Sequence, residues 1–228
     1  MNSKIRNWIK NTKVEDVKEF SQYLKPTFFI DFDSQEIVDL ARRLTADFSN
    51  ITEKAKAIFY WTRDKILYNP YETFTFNKED YKASYIIGQK KGWCVQKACV
   101  LAALSRAIQI PSRLHFADIR NHKVPEKLLK AMKTNLFVYH GYTELFINNS
   151  WIKATPAFNI ELCQKFNLKT VEFDGIHDGM LPEKTLDGEK YIEYIKDRGI
   201  ESDFPFDKLL QTIRKYYKSF DWQNYKEV

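Results

Sequence analysis

The sequence is poor in chain-breaking and sulfur-bearing residues: 228 residues contain seven glycines, seven prolines, three cysteines and four histidines. So little glycine and proline excludes a collagen-like or low-complexity fibrous chain. An odd cysteine count without a Cys-x-x-Cys pair excludes a disulfide framework or a zinc knuckle. Long apolar runs are missing too. The longest, Ala98 to Leu104, is far too short to span a bilayer as a helix. The opening stretch MNSKIRNWIKNTKVEDVKEF has no apolar segment of the kind a secretory leader needs. The expected setting is therefore the reducing cytosol, away from membranes. What the sequence does have is 44 % apolar and 15 % aromatic residues, enough for a real core and too much for a disordered chain.

Thirty-six Lys and Arg against thirty Asp and Glu leave a net charge of +6. The excess is spread over pairs such as Arg42-Arg43, Lys90-Lys91 and Arg214-Lys215, with acids among them. A nucleic-acid surface would concentrate it into a patch interleaved with aromatics, so no nucleic-acid partner is expected.

No repeat or Gly/Ser linker divides the chain, and residues 1–228 read as one domain. Residues 13–24 can form a helix, stopped by Pro26. Asp33 to Glu36 offers a cap, followed by Ile37, Leu40, Ala41 and Leu44 at helical spacing. Thr52 opens a helix carrying Ala55, Ile58, Phe59, Thr62 and Ile66 on one face. Cys94 to Ile108 is apolar nearly all round, as a buried helix is, and Pro111 ends it. Arg113 to Ile119 reads as a strand and Lys127 to Met132 as a short helix. Phe137 to Ile147 and Trp151 to Ala154 read as strands joined by an Asn148-Asn149 turn. Residues 157–187 read as irregular, and 189–197 and 207–220 as helices. Helices, then an antiparallel sheet, then helices describe an α+β fold, with a motif-bearing core over about 52–160 and helical flanks at 1–50 and 188–228.

Cys94 follows Gly92 at the start of the buried helix. Unpaired amides and the helix dipole favour a thiolate there and lower its pKa, and Lys90 and Lys91 push the same way. Cys99 lies about 140° further round the helix and shares no face with Cys94; Cys99 and Cys163 read as core thiols. A nucleophilic thiol needs an imidazole in reach. His140 stands at the entry of the hairpin. With a two-residue turn, Ile147 faces Ser150, Glu144 faces Lys153 and Tyr142 faces Thr155. His140 then lies diagonal to Thr155, with Cβ atoms ~7–8 Å apart, and a group orienting the imidazole is expected at position 155. Glu144, roughly 13 Å along the strand from His140, is expected to pair with Lys153.

Gly92-Trp93-Cys94 leading into a small-residue helix, then Ile110-Pro111-Ser112-Arg113, His140-Gly141-Tyr142-Thr143-Glu144 and Trp151 to Pro156, resemble the motifs of the transglutaminase-like superfamily. The resemblance covers residues 85–157, and the flanks resemble a bacterial subgroup of similar length. It implies a papain-like core in which the cysteine helix packs on an antiparallel sheet, with Cys94 as nucleophile and His140 as its base and acid. Thr155 stands where the family has Asp, and Asn159 or Asp174 are the alternatives for orienting His140. Gln89 is the candidate oxyanion donor beside the Cys94 backbone N–H, and Trp93 a candidate channel wall. The implied function is thioester-mediated acyl transfer on amide bonds of a protein or peptide, by hydrolysis or transamidation, with no cofactor or metal; no EF-hand calcium loop is present. The alternative is a catalytically impaired fold that binds protein or peptide.

Overall fold

The computed structural model describes residues 20–218. Most of the helix expected over 13–24 lies outside them, and its end forms a 3-10 turn at Gln22–Leu24. Helix α1 (Gln35–Thr45) buries Ile37, Leu40 and Ala41 at the expected spacing. In α2 (Ile51–Lys65) the Asn50 side chain accepts the Glu53 N–H at 2.8 Å, which satisfies one amide of the first turn. Two-residue strands β1 (Leu67–Tyr68) and β2 (Lys91–Gly92) pair in parallel, with α3 (Pro70–Thr73) and α4 (Ala83–Gln89) between them in the chain.

Helix α5 (Cys94–Ala107) is the centre of the molecule, with every side chain from Cys94 to Arg106 buried. Two of these are cations, and each is used as a fastener. Lys97 donates to the carbonyls of Arg63 (2.7 Å) and Ile66 at the end of α2, where unpaired carbonyls and the dipole favour a cation. Burial still pushes the Lys97 pKa down to about 7. Arg106 donates to the carbonyls of Ser112, Lys25 and Ser202 at 2.7–2.8 Å, tying three distant segments to one helix.

After α5 come β3 (Ser112–Asn121), α6 (Glu126–Met132), β4 (Leu136–Ile147), β5 (Ser150–Ala154), α7 (Ile160–Lys165), β6 (Ile192–Glu201) and α8 (Phe206–Tyr216). The four longer strands form one antiparallel sheet in the order β5-β4-β3-β6. The fold is α+β, as expected. Asn148 and Asn149 both have positive φ, 49° and 66°, as the tightest hairpin turn requires. The resulting register sets Glu144 opposite Lys153 and Ile147 opposite Ser150 and ends at Thr143 opposite Ala154; beyond it the Thr155 N–H donates to the Gly179 carbonyl at 2.9 Å. Helix α5 lies on one face of this sheet: the Thr143 hydroxyl donates to the Ala98 carbonyl at 2.9 Å. At Gly141 a Cβ would sit 3.1 Å from the Val95 Cα and 3.3 Å from the Phe116 ring, so glycine lets β4 come close to the first turn of α5 without crowding it.

Two expectations are corrected here. Residues 192–201 are a strand rather than part of a helix over 189–197, because Ile192 to Glu201 pairs along β3. A long-range ladder overrides a local pattern that fits either period. The stretch 157–187 also contains a short helix, α7.

Candidate active site

Cys94 is the first residue of α5, with Trp93 as its N-cap. Gln96 holds this end in place. Its Oε1 accepts the Trp93 N–H at 3.2 Å, and its Nε2 donates to the carbonyls of Thr73 and Asp80. The thiol is buried. Burial pushes its pKa up to about 11, against the opposing pull of the backbone N–H groups of Gly141, Val95 and Cys94 itself. The lowered thiol pKa expected from the helix end alone is therefore reversed, because the loss of water outweighs the amides. Neither lysine contributes as expected: Lys91 pairs with Glu72 at 2.7 Å, and Lys90 lies exposed in the left-handed conformation that ends α4.

His140 is placed by a bulge. The β3–β4 register shifts between Ala117 and Ile119, and Tyr139 takes φ 59°. The Tyr139 N–H that the bulge frees from the ladder donates to Asp118 Oδ1 at 3.1 Å, and Asp118 is in turn clamped by Arg198. Such bulges re-aim the next side chain, here His140. The imidazole is buried, which pushes its pKa down to about 3. Its Nε2 is enclosed without a hydrogen-bond partner among the described residues. The Tyr142 and Tyr194 rings flank it at 6.2 and 6.1 Å between centroids.

Cys94 and His140 line one cavity of about 360 Å³. Its walls are mostly apolar, including Phe74, Trp93, Leu128, Phe137, Phe158 and Tyr217. Lys123, also in the lining, pairs with Glu189. No hydrogen bond joins Cys94 to His140, and with pKa values of about 11 and about 3 both are neutral at pH 7.

The other candidate residues have different surroundings. Thr155 is fully buried, and its hydroxyl meets the Met180 sulfur at 3.6 Å rather than His140. Asn159 accepts the Tyr68 N–H and donates to Glu161 at the start of α7. Asp174 is spent on an exposed loop, where it binds His177 and two backbone amides. Gln89 is exposed and lines a smaller cavity of about 180 Å³ with Glu72 and Gln96, outside the Cys94–His140 cavity. Trp93 is in the cavity wall, where the sequence placed it as a candidate. Glu144 has its expected register, but its carboxylate binds Arg113 at 2.6 Å and His115 at 2.5 Å instead of Lys153. Tyr194 was missed because its segment reads as helix; the alternation of Ile192 and Tyr194 was the signal available. The Gly141 N–H beside the sulfur was missed because it depends on the α5–β4 contact.

The transglutaminase-like superfamily model matches residues 38–156, a span that includes Cys94, His140 and Thr155. No curated protein matches the chain significantly. Among solved structures, a candidate cysteine protease from Cytophaga hutchinsonii superposes with a TM-score of 0.52 at 20 % identity, over 86 % of this chain and 50 % of that one. The chain thus spans half the length of that protein, and the likeness is one of fold. A TGase structure gives a TM-score of 0.36 at 13 % identity, over 93 % of this chain and 54 % of that one. A candidate protease from Parabacteroides distasonis gives 0.38 at 14 % identity, over 56 % and 26 %.

Proposed function

The chain belongs to the transglutaminase-like superfamily, and on that premise we propose that it is a cysteine-dependent acyl-transfer enzyme acting on amide bonds through Cys94 and His140. The observation that carries this reading is that a helix-end cysteine and a bulge-aimed histidine line the same mostly apolar cavity. In the proposed cycle the Cys94 sulfur bonds to the amide carbonyl carbon while the thiol proton passes to His140. His140 then gives that proton to the departing nitrogen as the C–N bond breaks, leaving a thioester on Cys94. Water or a lysine amine next attacks the thioester carbonyl. The S–C bond breaks, and the proton lost by the attacking group returns through His140 to Cys94. Water gives hydrolysis; the amine gives transamidation.

Because both groups start neutral, His140 works as a general base during attack rather than as half of a standing ion pair. The Gly141, Val95 and Cys94 amides that face the sulfur supply partial positive charge where negative charge develops. The apolar lining suits a protein or peptide substrate that brings an uncharged group to the cavity. Three free, buried thiols fit a cytosolic setting.

The second reading, a peptide-binding fold without catalysis, is favoured by Thr155 in place of a carboxylate and by the missing Cys94–His140 hydrogen bond. Turnover of amide peptides, followed by release of ammonia or of a new amino terminus, separates the two. The proposal expects turnover that is lost in both Cys94→Ala and His140→Ala. Binding of the same peptides with no turnover would support the second reading.

A further inference from the structure

Resting on the reading of His140 as the proton carrier, we propose that Tyr194 is a positioning residue for that histidine and takes over the place of the carboxylate that Thr155 lacks. Two buried polar atoms without partners sit on neighbouring rings: His140 Nε2 and the Tyr194 hydroxyl oxygen. The rings stand edge to face at 6.1 Å and 66°. Because a nitrogen and a phenol oxygen project outward from their ring centres, rings at this centroid distance are compatible with a hydrogen bond of about 2.8 Å between them. Enclosed polar atoms left unpaired are costly, and these two are chemically matched.

The position of the hydroxyl supports the same assignment. It lies beside Thr155 and the Leu181 backbone N–H. Tyr194 arrives there on β6, opposite Ile119 of β3. The strand that supplies the hydroxyl is thus a different one from β5, which ends just before Thr155.

The chemistry follows from what a neutral phenol can do. With Nε2–H donating to the Tyr194 oxygen, and the Tyr194 O–H donating to Thr155, the imidazole is held in one tautomer. Its Nδ1 lone pair is then available for the thiol proton. A carboxylate in that place would also stabilise the imidazolium and favour an ion pair with Cys94. A phenol fixes orientation and adds no charge. The titratable groups around His140 are Cys94 from α5, Tyr142 from β4 and Tyr194 from β6, and each is shifted upward by burial, so none brings a charge at pH 7.

The test compares the full-length chain with Tyr194→Phe and with Tyr194→Phe combined with Thr155→Asp. Imidazole ¹⁵N NMR of His140 is expected to show the Nε2–H tautomer in the parent and a mixture in Tyr194→Phe, at unchanged thermal stability. Amide turnover is expected to fall at least about tenfold in kcat in Tyr194→Phe, with KM within about twofold. The Asp in the double variant is expected to restore kcat and to move the acidic limb of the kcat–pH profile upward by about one unit, since a neighbouring carboxylate raises an imidazole pKa. An unchanged tautomer in Tyr194→Phe together with kcat within twofold of the parent would overturn the role of Tyr194. Absence of Cys94-dependent turnover in the parent would overturn the enzyme reading instead, and the NMR comparison would still decide whether Tyr194 positions His140.

Discussion

At the scale of single residues, the local sequence and the surroundings make opposing demands on Cys94. The helix start and the Gly141 amide favour a thiolate, while burial favours the thiol and wins, leaving a pKa of about 11. The rate of Cys94 alkylation by iodoacetamide is therefore expected to climb steadily from pH 6 toward pH 10, without a plateau near neutrality. A plateau below pH 7 would mean a standing thiolate–imidazolium pair. Gly141 carries a second prediction. Gly141→Ala places a methyl 3.1 Å from the Val95 Cα, and the overpacking is expected to cost about 1–3 kcal/mol, read from the urea midpoint. The loss is expected to be accompanied by reduced turnover, because the same contact holds the Gly141 amide at the sulfur. Cys94 and His140 could be singled out as candidates in the sequence because each carries a local sign: a cysteine behind a glycine at a helix start, and a histidine followed by glycine on a strand. The thiol pKa was not legible, because it is set by burial, which the whole fold decides.

At the scale of elements, the sheet is stitched by a polar ladder on the face away from α5. Arg113 and His115 of β3 bind Glu144 of β4, and His115 also reaches Asp197 of β6 at 2.9 Å. Burial alone would lower the His115 pKa, but its hydrogen bonds to Glu144 and Asp197 outweigh this and raise it above the ordinary value of 6.5. A histidine with a raised folded-state pKa contributes stability that is full below its unfolded pKa and is lost as pH rises through the folded value. The stability difference between the parent and His115→Gln is thus expected to be largest below pH 6.5 and to shrink at higher pH, as measured by urea denaturation over pH 5 to 9. A difference that stayed constant with pH would show that the ladder works without the charge. This ladder and strand β6 were the least legible parts of the fold. The run Tyr191 to Asp197 fits a helix period or a strand period locally, and only pairing with β3 decides between them. The partners of Glu144 lie 31 and 29 residues away in sequence, in a strand whose register no local pattern encodes. Tyr194 was hidden with its strand.

At the scale of the molecule, the α5-on-sheet arrangement forms a mostly apolar cavity with a thiol and an imidazole in its wall. Helices α2 and α5 and the β4–β5 hairpin register could be read ahead, because each carries a clear period or turn. The cavity could not, because it is lined from widely separated stretches between Tyr68 and Tyr217. Its lining predicts specificity: in a series of amide donors lengthened by buried methylenes, kcat/KM is expected to rise about fourfold per methylene, from about 0.8 kcal/mol each, until the space is filled. A flat series would place the substrate's apolar part elsewhere. The central claim is that Cys94 accepts an acyl group with the help of His140. It is tested most directly by acid-quenching the protein during reaction with such a donor and mapping the covalent adduct by mass spectrometry. The account predicts an acyl thioester on Cys94 that is absent in His140→Ala. No adduct on Cys94, or equal labelling of Cys99 and Cys163, would contradict it.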